Sequence, residues 1–407
     1  MNAHTIEKVE KTEKTEKIYL SEPAVVSAAG IGIEELWRAV TTGDNSAMKR
    51  VEACGKDFWA AKIDDSLLKS SEGRFDMRII KIENVALAQI APLVEKAKLM
   101  YGANRIAVLV GSCDNGSEFS LKAHRNYFAS GSFPDDYTLE MQGADYVASF
   151  VAEKFDLSGI TLAFSTACSS SATALIKASE LICAGLCDVA IAGGVDIVSD
   201  TTLLGFGSLG AISSEKTNPF SANRSGITLG DGAAFFVVSK ERLSDKAIEL
   251  AGFGESADAY HATSPDPSGS GAMKAMRAAL KMANIEANKI GYVNLHGTGT
   301  KLNDSMEAKA VCEVLGKEVL CSSTKSETGH TLGAAAAIEA AICFKVLTEK
   351  TEKMPLQVWD GERDTELENI IDTNRSFSDN AINKIEYCMS NSFAFGGANV
   401  SLIFKRV

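Results

Sequence analysis

Proline is scarce in this sequence, 7 of 407 residues, and histidine is scarcer still, with 5. No apolar run reaches the roughly 18 residues that a membrane span needs. The richest stretch, 332–347, is broken by Glu339 and Lys345, so no membrane association is expected. An excess of positive charge is missing too: the formal net charge is −12, which speaks against a general nucleic-acid binder. Neither a C-x2-C nor an H-x3-H pair occurs, and short-spaced pairs of that kind mark structural zinc sites. Cysteine is not scarce. The nine are odd in number, irregularly spaced and preceded by no signal peptide, the pattern of reduced thiols in a cytoplasmic protein. With 45% hydrophobic and 23% charged residues, the composition is globular and excludes disordered, collagen-like and disulfide-scaffold chains.

What is present is an alternation. Residues 1–17 carry lysine and glutamate at a period of three, which suits neither helix nor strand and reads as a solvated tail. Beyond it, short apolar segments alternate with helical ones, the signature of an α/β protein. Strands are expected at 105–110 (RIAVLV), 160–165 (ITLAFS), 188–192 (DVAIA), 233–238 (AAFFVV), 290–295, 319–324, 387–390 and 400–404, with helices at 169–184 and 332–347. The stretches on either side of a charged segment at 243–250 share one rhythm. A duplicated domain is expected, its halves at 18–248 and 249–407.

Cys168 lies in TACSSS, where the 160–165 strand turns into the 169–184 helix. A thiol at a helix N-terminus sits by the positive end of the dipole and beside free N–H groups, which lower its pKa and offer donors to an oxyanion. The same residue reads equally as a buried structural cysteine. His296 and His330 both stand at strand ends in glycine and threonine loops, where backbone can approach a ligand, whereas His4, His124 and His261 lie in the tail or among polar neighbours. Cys168, His296 and His330 are far apart in sequence, and no metal is expected on them. A cysteine hydrolase, pairing nucleophile and base, is left open by these residues alone.

Together these stretches resemble the elongating β-ketoacyl-acyl-carrier-protein synthases. The resemblance rests on TACSSS at 166–171, AGGVD at 192–196, LGDGAA at 229–234, NLHGTGTKLND at 294–304, STKSETGHTLGAAAAIEA at 323–340 and NSFAFGGANVSLIF at 391–404, in the family's order. It implies a thiolase-like αβαβα five-layer sandwich of two similar halves, acting as a homodimer or as a heterodimer with a paralogous subunit. It implies decarboxylative Claisen condensation of a Cys-bound acyl chain with a malonyl thioester, in fatty acid, polyketide or aryl-polyene-type biosynthesis. Substrates would ride on the phosphopantetheine of an acyl carrier protein, with no further cofactor. Cys168 matches the nucleophile, and His296 and His330 match the pair that binds the malonyl carbonyl and stabilises the enolate. Lys325 resembles the lysine that organises this pair, with Glu339 its buried partner. The backbone N–H groups of Cys168 and Phe395 would hold the second oxyanion, and Phe395 resembles a gate to the acyl pocket. Thr298, Thr300 and Phe393 fall among the substrate-binding residues, and Asp304 matches a structural acidic residue. The alternative implied is a non-catalytic partner resembling a chain length factor; such partners typically lack the nucleophile that Cys168 supplies here.

Three departures carry expectations. Ala394 stands where the family usually has glycine, which would stiffen that loop. Ser221 replaces a frequent aspartate. Asp114 occupies a turn that lines the acyl pocket in relatives and is usually apolar. Facing a chain there it would favour a polar, aryl or polyene acyl group; otherwise Asp114-Asn115-Gly116 is a plain turn. An acidic carrier needs a local basic patch, for which Lys69, Arg74, Arg78 and Lys81 are the candidates.

Overall fold

The computed structural model describes residues 16–69, 73–114, 116–349, 353–368 and 385–407; residues 1–15 of the lysine-glutamate tail, and Asn115, lie outside them. The first half is built on β1 (Tyr19–Ser21), β2 (Ala24–Ser27), β3 (Ile106–Gly111), β4 (Thr161–Phe164), β5 (Val189–Asp196) and β6 (Gly232–Ser239), with helices α1 (Arg78–Tyr101), α2 (Tyr146–Lys154) and α3 (Ser170–Cys183). The second half is built on β7 (Ala247–Ala257), β8 (Ile290–Asn294), β9 (Leu320–Ser322), β10 (Tyr387–Phe393) and β11 (Ala398–Arg406), with α4 (Ser270–Ala283), α5 (Lys301–Leu315) and α6 (Ala335–Thr348). The boundary expected at 248 falls inside β7, which starts one residue earlier.

Strands run across the sheet in the order β4-β3-β5-β6-β1-β7-β11-β10-β8-β9. β2 pairs with β6 off this path; with it set aside, each half orders its strands third, second, fourth, fifth, first. In the first half β3 is parallel to β4 and β5, and β6 turns antiparallel. In the second half β8 is parallel to β9 and β10, and β11 turns antiparallel. Two halves with one strand order and one pattern of directions make a duplicated fold. β1 pairs with both β6 and β7 and so joins them.

The strands read as unbroken apolar runs because both faces are covered. α3 and α6 lie between the two halves of the sheet in one shared core. α1 and α2 cover the outer face of the first half, and α4 and α5 that of the second. This is the thiolase-like five-layer sandwich. Every residue of α6 from Ala335 to Leu347 is buried, and its alanines let it press against α3. Two glycines permit a similar approach at the start of α3. A Cβ on Gly111 would meet the Ser171 nitrogen at 2.3 Å, and one on Gly194 would meet the Ser171 Cβ at 2.8 Å. Gly194 lies within β5, which runs on to Asp196 instead of ending at 192 as expected.

Candidate active site

Loops at the ends of the parallel strands converge, as open α/β architecture favours. The helix expected at 169–184 runs from Ser170 to Cys183, with Cys168 in the turn before it. A tighter 3-10 turn, Ala167–Ser169, precedes α3, and Ala167 takes a left-handed φ of 52°, a conformation that costs a residue with a Cβ and persists only where the surroundings enforce it. The turn aims the Cys168 sulfur at His330, whose Nε2 lies 3.1 Å away. The His296 and His330 rings stand nearly perpendicular, centroids 5.4 Å apart.

The low thiol pKa expected of Cys168 is not found. Burial pushes it up to about 11, and the nearby Lys325 charge and the Phe395 backbone N–H only partly offset that. A dipole at a helix end acts over one turn, whereas desolvation acts on the whole charge. Burial, with Lys325 beside them, also holds both imidazoles well below the usual histidine range, so both are neutral at pH 7. Each buried Nδ1 lacks a hydrogen-bond partner. A proton there would have no acceptor, which favours the tautomer with N–H on Nε2, facing the cavity.

Lys325 donates to the His296 carbonyl at 2.5 Å and to Glu339. Burial lifts the Glu339 carboxyl to about 7 against the pull of Lys325. Asp304 accepts from the Phe220 nitrogen at 2.8 Å and the Gly299 nitrogen at 3.2 Å, tying the histidine loop to the 218–224 segment. Two carboxylates went unnoticed in the sequence. Glu307 accepts from the backbone N–H groups of His296 at 2.8 Å and Gly297 at 2.7 Å, and burial raises it to about 8. Its signal was its position, three residues past Asp304 on the same helix face. Asp196, quoted in AGGVD without a role, accepts from Ser112 Oγ at 3.2 Å, Cys113 N at 2.9 Å, Asp114 N at 3.1 Å and Gly333 N at 2.6 Å.

A cavity of about 350 Å³ reaches Cys168 and is lined by Thr298, Thr300, Phe393 and Phe395 among others. The threonine hydroxyls lie 3.0 Å apart, and Phe395 packs against Phe206 at 5.8 Å. Ala394 sits at φ −92°, open to any residue; the left-handed positions are Gly396 and Gly397, so alanine adds no strain. Ser221 donates to Asp360 at 2.8 Å.

Two expectations are corrected. Asp114 does not face this cavity. Its carboxylate accepts from Gly116 N at 2.8 Å, Ser117 Oγ at 2.6 Å and the Tyr146 hydroxyl at 2.6 Å, closing a turn. The basic patch is largely neutralised: Arg74 pairs with Glu140 and Glu153, Arg78 with Asp65 and Asp231, and Lys81 with Asp76. Clustered in sequence, these cations meet Asp65 and Asp76 close by and Glu140, Glu153 and Asp231 brought from elsewhere in the fold.

A thiol at the end of one half, met by two neutral imidazoles from the other, can form a thioester and stabilise an enolate. Two family models cover most of the chain: "Beta-ketoacyl synthase, N-terminal domain" over residues 24–244 and "Beta-ketoacyl synthase, C-terminal domain" over 247–356. The chain belongs to the β-ketoacyl synthase family. This synthase is 35% identical over 322 residues to 3-oxoacyl-[acyl-carrier-protein] synthase 2 of Vibrio harveyi, a match spanning 75% of this chain and 76% of the relative. Its fold matches a ketosynthase in complex with its chain length factor from Xenorhabdus doucetiae, with a TM-score of 0.88, 34% identity and full coverage of both chains. It also matches a β-ketoacyl synthase from Burkholderia phymatum STM815, with a TM-score of 0.79, 28% identity and coverage of 96% of this chain and 100% of that one. Among the described residues of the synthase, no helix is long and apolar enough to cross a membrane.

Proposed function

We propose that this chain is an elongating β-ketoacyl-acyl-carrier-protein synthase. The observation that carries the reading is the Cys168 sulfur 3.1 Å from His330 Nε2, with His296 beside it, at the end of a cavity of about 350 Å³. In the first step the sulfur attacks an acyl thioester, the carbonyl oxyanion meets the backbone N–H groups of Cys168 and Phe395, and the thiol proton ends on the departing pantetheine sulfur. In the second step the Nε2–H groups of His296 and His330 bond the malonyl thioester oxygen. The electron pair of the breaking carbon–carboxylate bond moves onto that oxygen as carbon dioxide leaves. The enolate then attacks the acyl-Cys168 carbonyl, and the sulfur departs. Two neutral donors aimed at one developing oxyanion contribute several kcal/mol in a water-poor site. Lys325, Glu339 and Glu307 hold the histidine loop, Asp304 braces it, and Thr298, Thr300 and Phe393 line the path of the arm. Written this way, the reaction calls on no cofactor beyond the phosphopantetheine that the carrier brings.

The acyl carrier protein as partner is supported by the name of the Vibrio relative. A dimer is supported by the Xenorhabdus complex and by β4, which has a neighbouring strand on one side only among the described residues. On that strand Leu162 is 40% exposed. The test is incubation with acyl- and malonyl-carrier protein. The expected result is a β-ketoacyl-carrier product and an acyl adduct on Cys168 by peptide mass spectrometry. Absence of both from folded protein rejects the reading in favour of a non-catalytic partner subunit.

A further inference from the structure

Sequence spacing argued against a metal at Cys168, His296 and His330, but the fold brings them together. One ligand atom from each lies within 4.8 Å of the other two, and all three side chains are buried. We propose that these three side chains also form a reversible binding site for a thiophilic divalent cation, zinc(II) by preference, whose occupation shuts the synthase down.

Thiolate and neutral imidazole are the ligands zinc favours, and three protein ligands with an open fourth position make a common tetrahedral set. Zinc–sulfur and zinc–nitrogen bonds of about 2.3 and 2.0 Å place one sulfur and two nitrogen ligands roughly 3.3–3.5 Å apart, so the trio needs to close by about 1.5 Å at most. The cavity supplies the entry path and room for a water as fourth ligand. On binding, the Cys168 S–H bond breaks and its proton passes to solvent, each imidazole exchanges its Nε2 proton for one on Nδ1, and the freed sulfur and Nε2 electron pairs go to the metal. Hard, oxygen-seeking ions such as magnesium are poorly served by this set.

Two features make the capture reversible. Resident zinc sites orient each histidine by a hydrogen bond at its other ring nitrogen; here both Nδ1 atoms lack a partner. The Lys325 charge also reaches both imidazoles and the sulfur, countered in part at the sulfur by Asp196 and Glu339.

Metal capture follows from the geometry, while loss of activity rests on the function proposed above, and the experiment separates the two. Full-length protein is treated with iodoacetamide with and without chelator-buffered zinc, and alkylation is followed peptide by peptide. Saturating zinc is expected to slow alkylation of Cys168 by at least about tenfold, reversibly with EDTA, while magnesium does not; His330→Ala raises the zinc needed by a similar factor. The exposed Cys54 and Cys183 report capture by thiols in general. X-ray absorption on the one-to-one complex is expected to show one sulfur and two nitrogen ligands. An unchanged Cys168 rate at saturating zinc, equal protection of Cys54 and Cys183, or no effect of His330→Ala overturns the site. Condensation that continues with Cys168 protected overturns the shutdown. Protection in a protein with no condensing activity of its own upholds the site and rejects the proposed function alone.

Discussion

The two halves contain the same turn at the same place and use it differently. After the third strand of the first half, Ala167 takes φ 52° and opens a 3-10 turn into α3; in the second half Leu332 takes φ 48° and opens a 3-10 turn into α6. The middle residue is Cys168 in one and Gly333 in the other. Gly333 gives its N–H to Asp196, and a Cβ there would lie 2.6 Å from that carboxylate and 2.9 Å from the Cys113 nitrogen. The loop after the second strand diverges as well: in the first half Ser112 and Cys113 bond Asp196, while in the second His296 turns to the cavity. Duplication thus made one scaffold, and the copies divided the work. The first half offers a nucleophile, the second offers donors, and Asp196 ties the second half's turn to the first half's loop.

That division is open to attack from its strongest point downward. Cys168→Ala is expected to lower condensation by about a thousandfold or more while the fold survives; kcat on carrier-bound substrates and the circular dichroism spectrum check it. Gly333→Ala gives the second turn the side chain that the first one tolerates. Because the space is taken by Asp196 and the Cys113 backbone, it is expected to cost about 1–3 kcal/mol in denaturant unfolding; a neutral result would show that the turn gives way. The smallest effect concerns Asp196, which burial raises from 3.8 to about 7. The folded form holds this proton more tightly than the unfolded one, so stability falls as pH rises between those values and levels off above. Asp196→Asn removes that contribution, and unfolding curves measured across the window in both proteins isolate it from Glu307 and Glu339.

Much of this organisation was legible in the sequence. The apolar runs at 105–110 and 233–238 became β3 and β6, and the motif stretches singled out Cys168, His296, His330 and Lys325 because those residues sit in short turns with strong local grammar, the last three marked by glycine. What was not legible depends on distance. Nothing near Asp196 announces Gly333, and nothing near Arg78 announces Asp231. The thiol's high pKa was missed for a related reason: a helix start is visible in a string of residues, whereas the burial that outweighs it belongs to the assembled halves.

β1 has a consequence for how the molecule is made. Only three residues long, Tyr19–Ser21, it hydrogen-bonds to β6 on one side and β7 on the other. This strand, the first among the described residues, therefore waits without either partner until more than two hundred further residues have been synthesised. Its docking is a late event that closes the seam, and a nascent chain stalled before residue 232 would still be missing both neighbours of its own beginning.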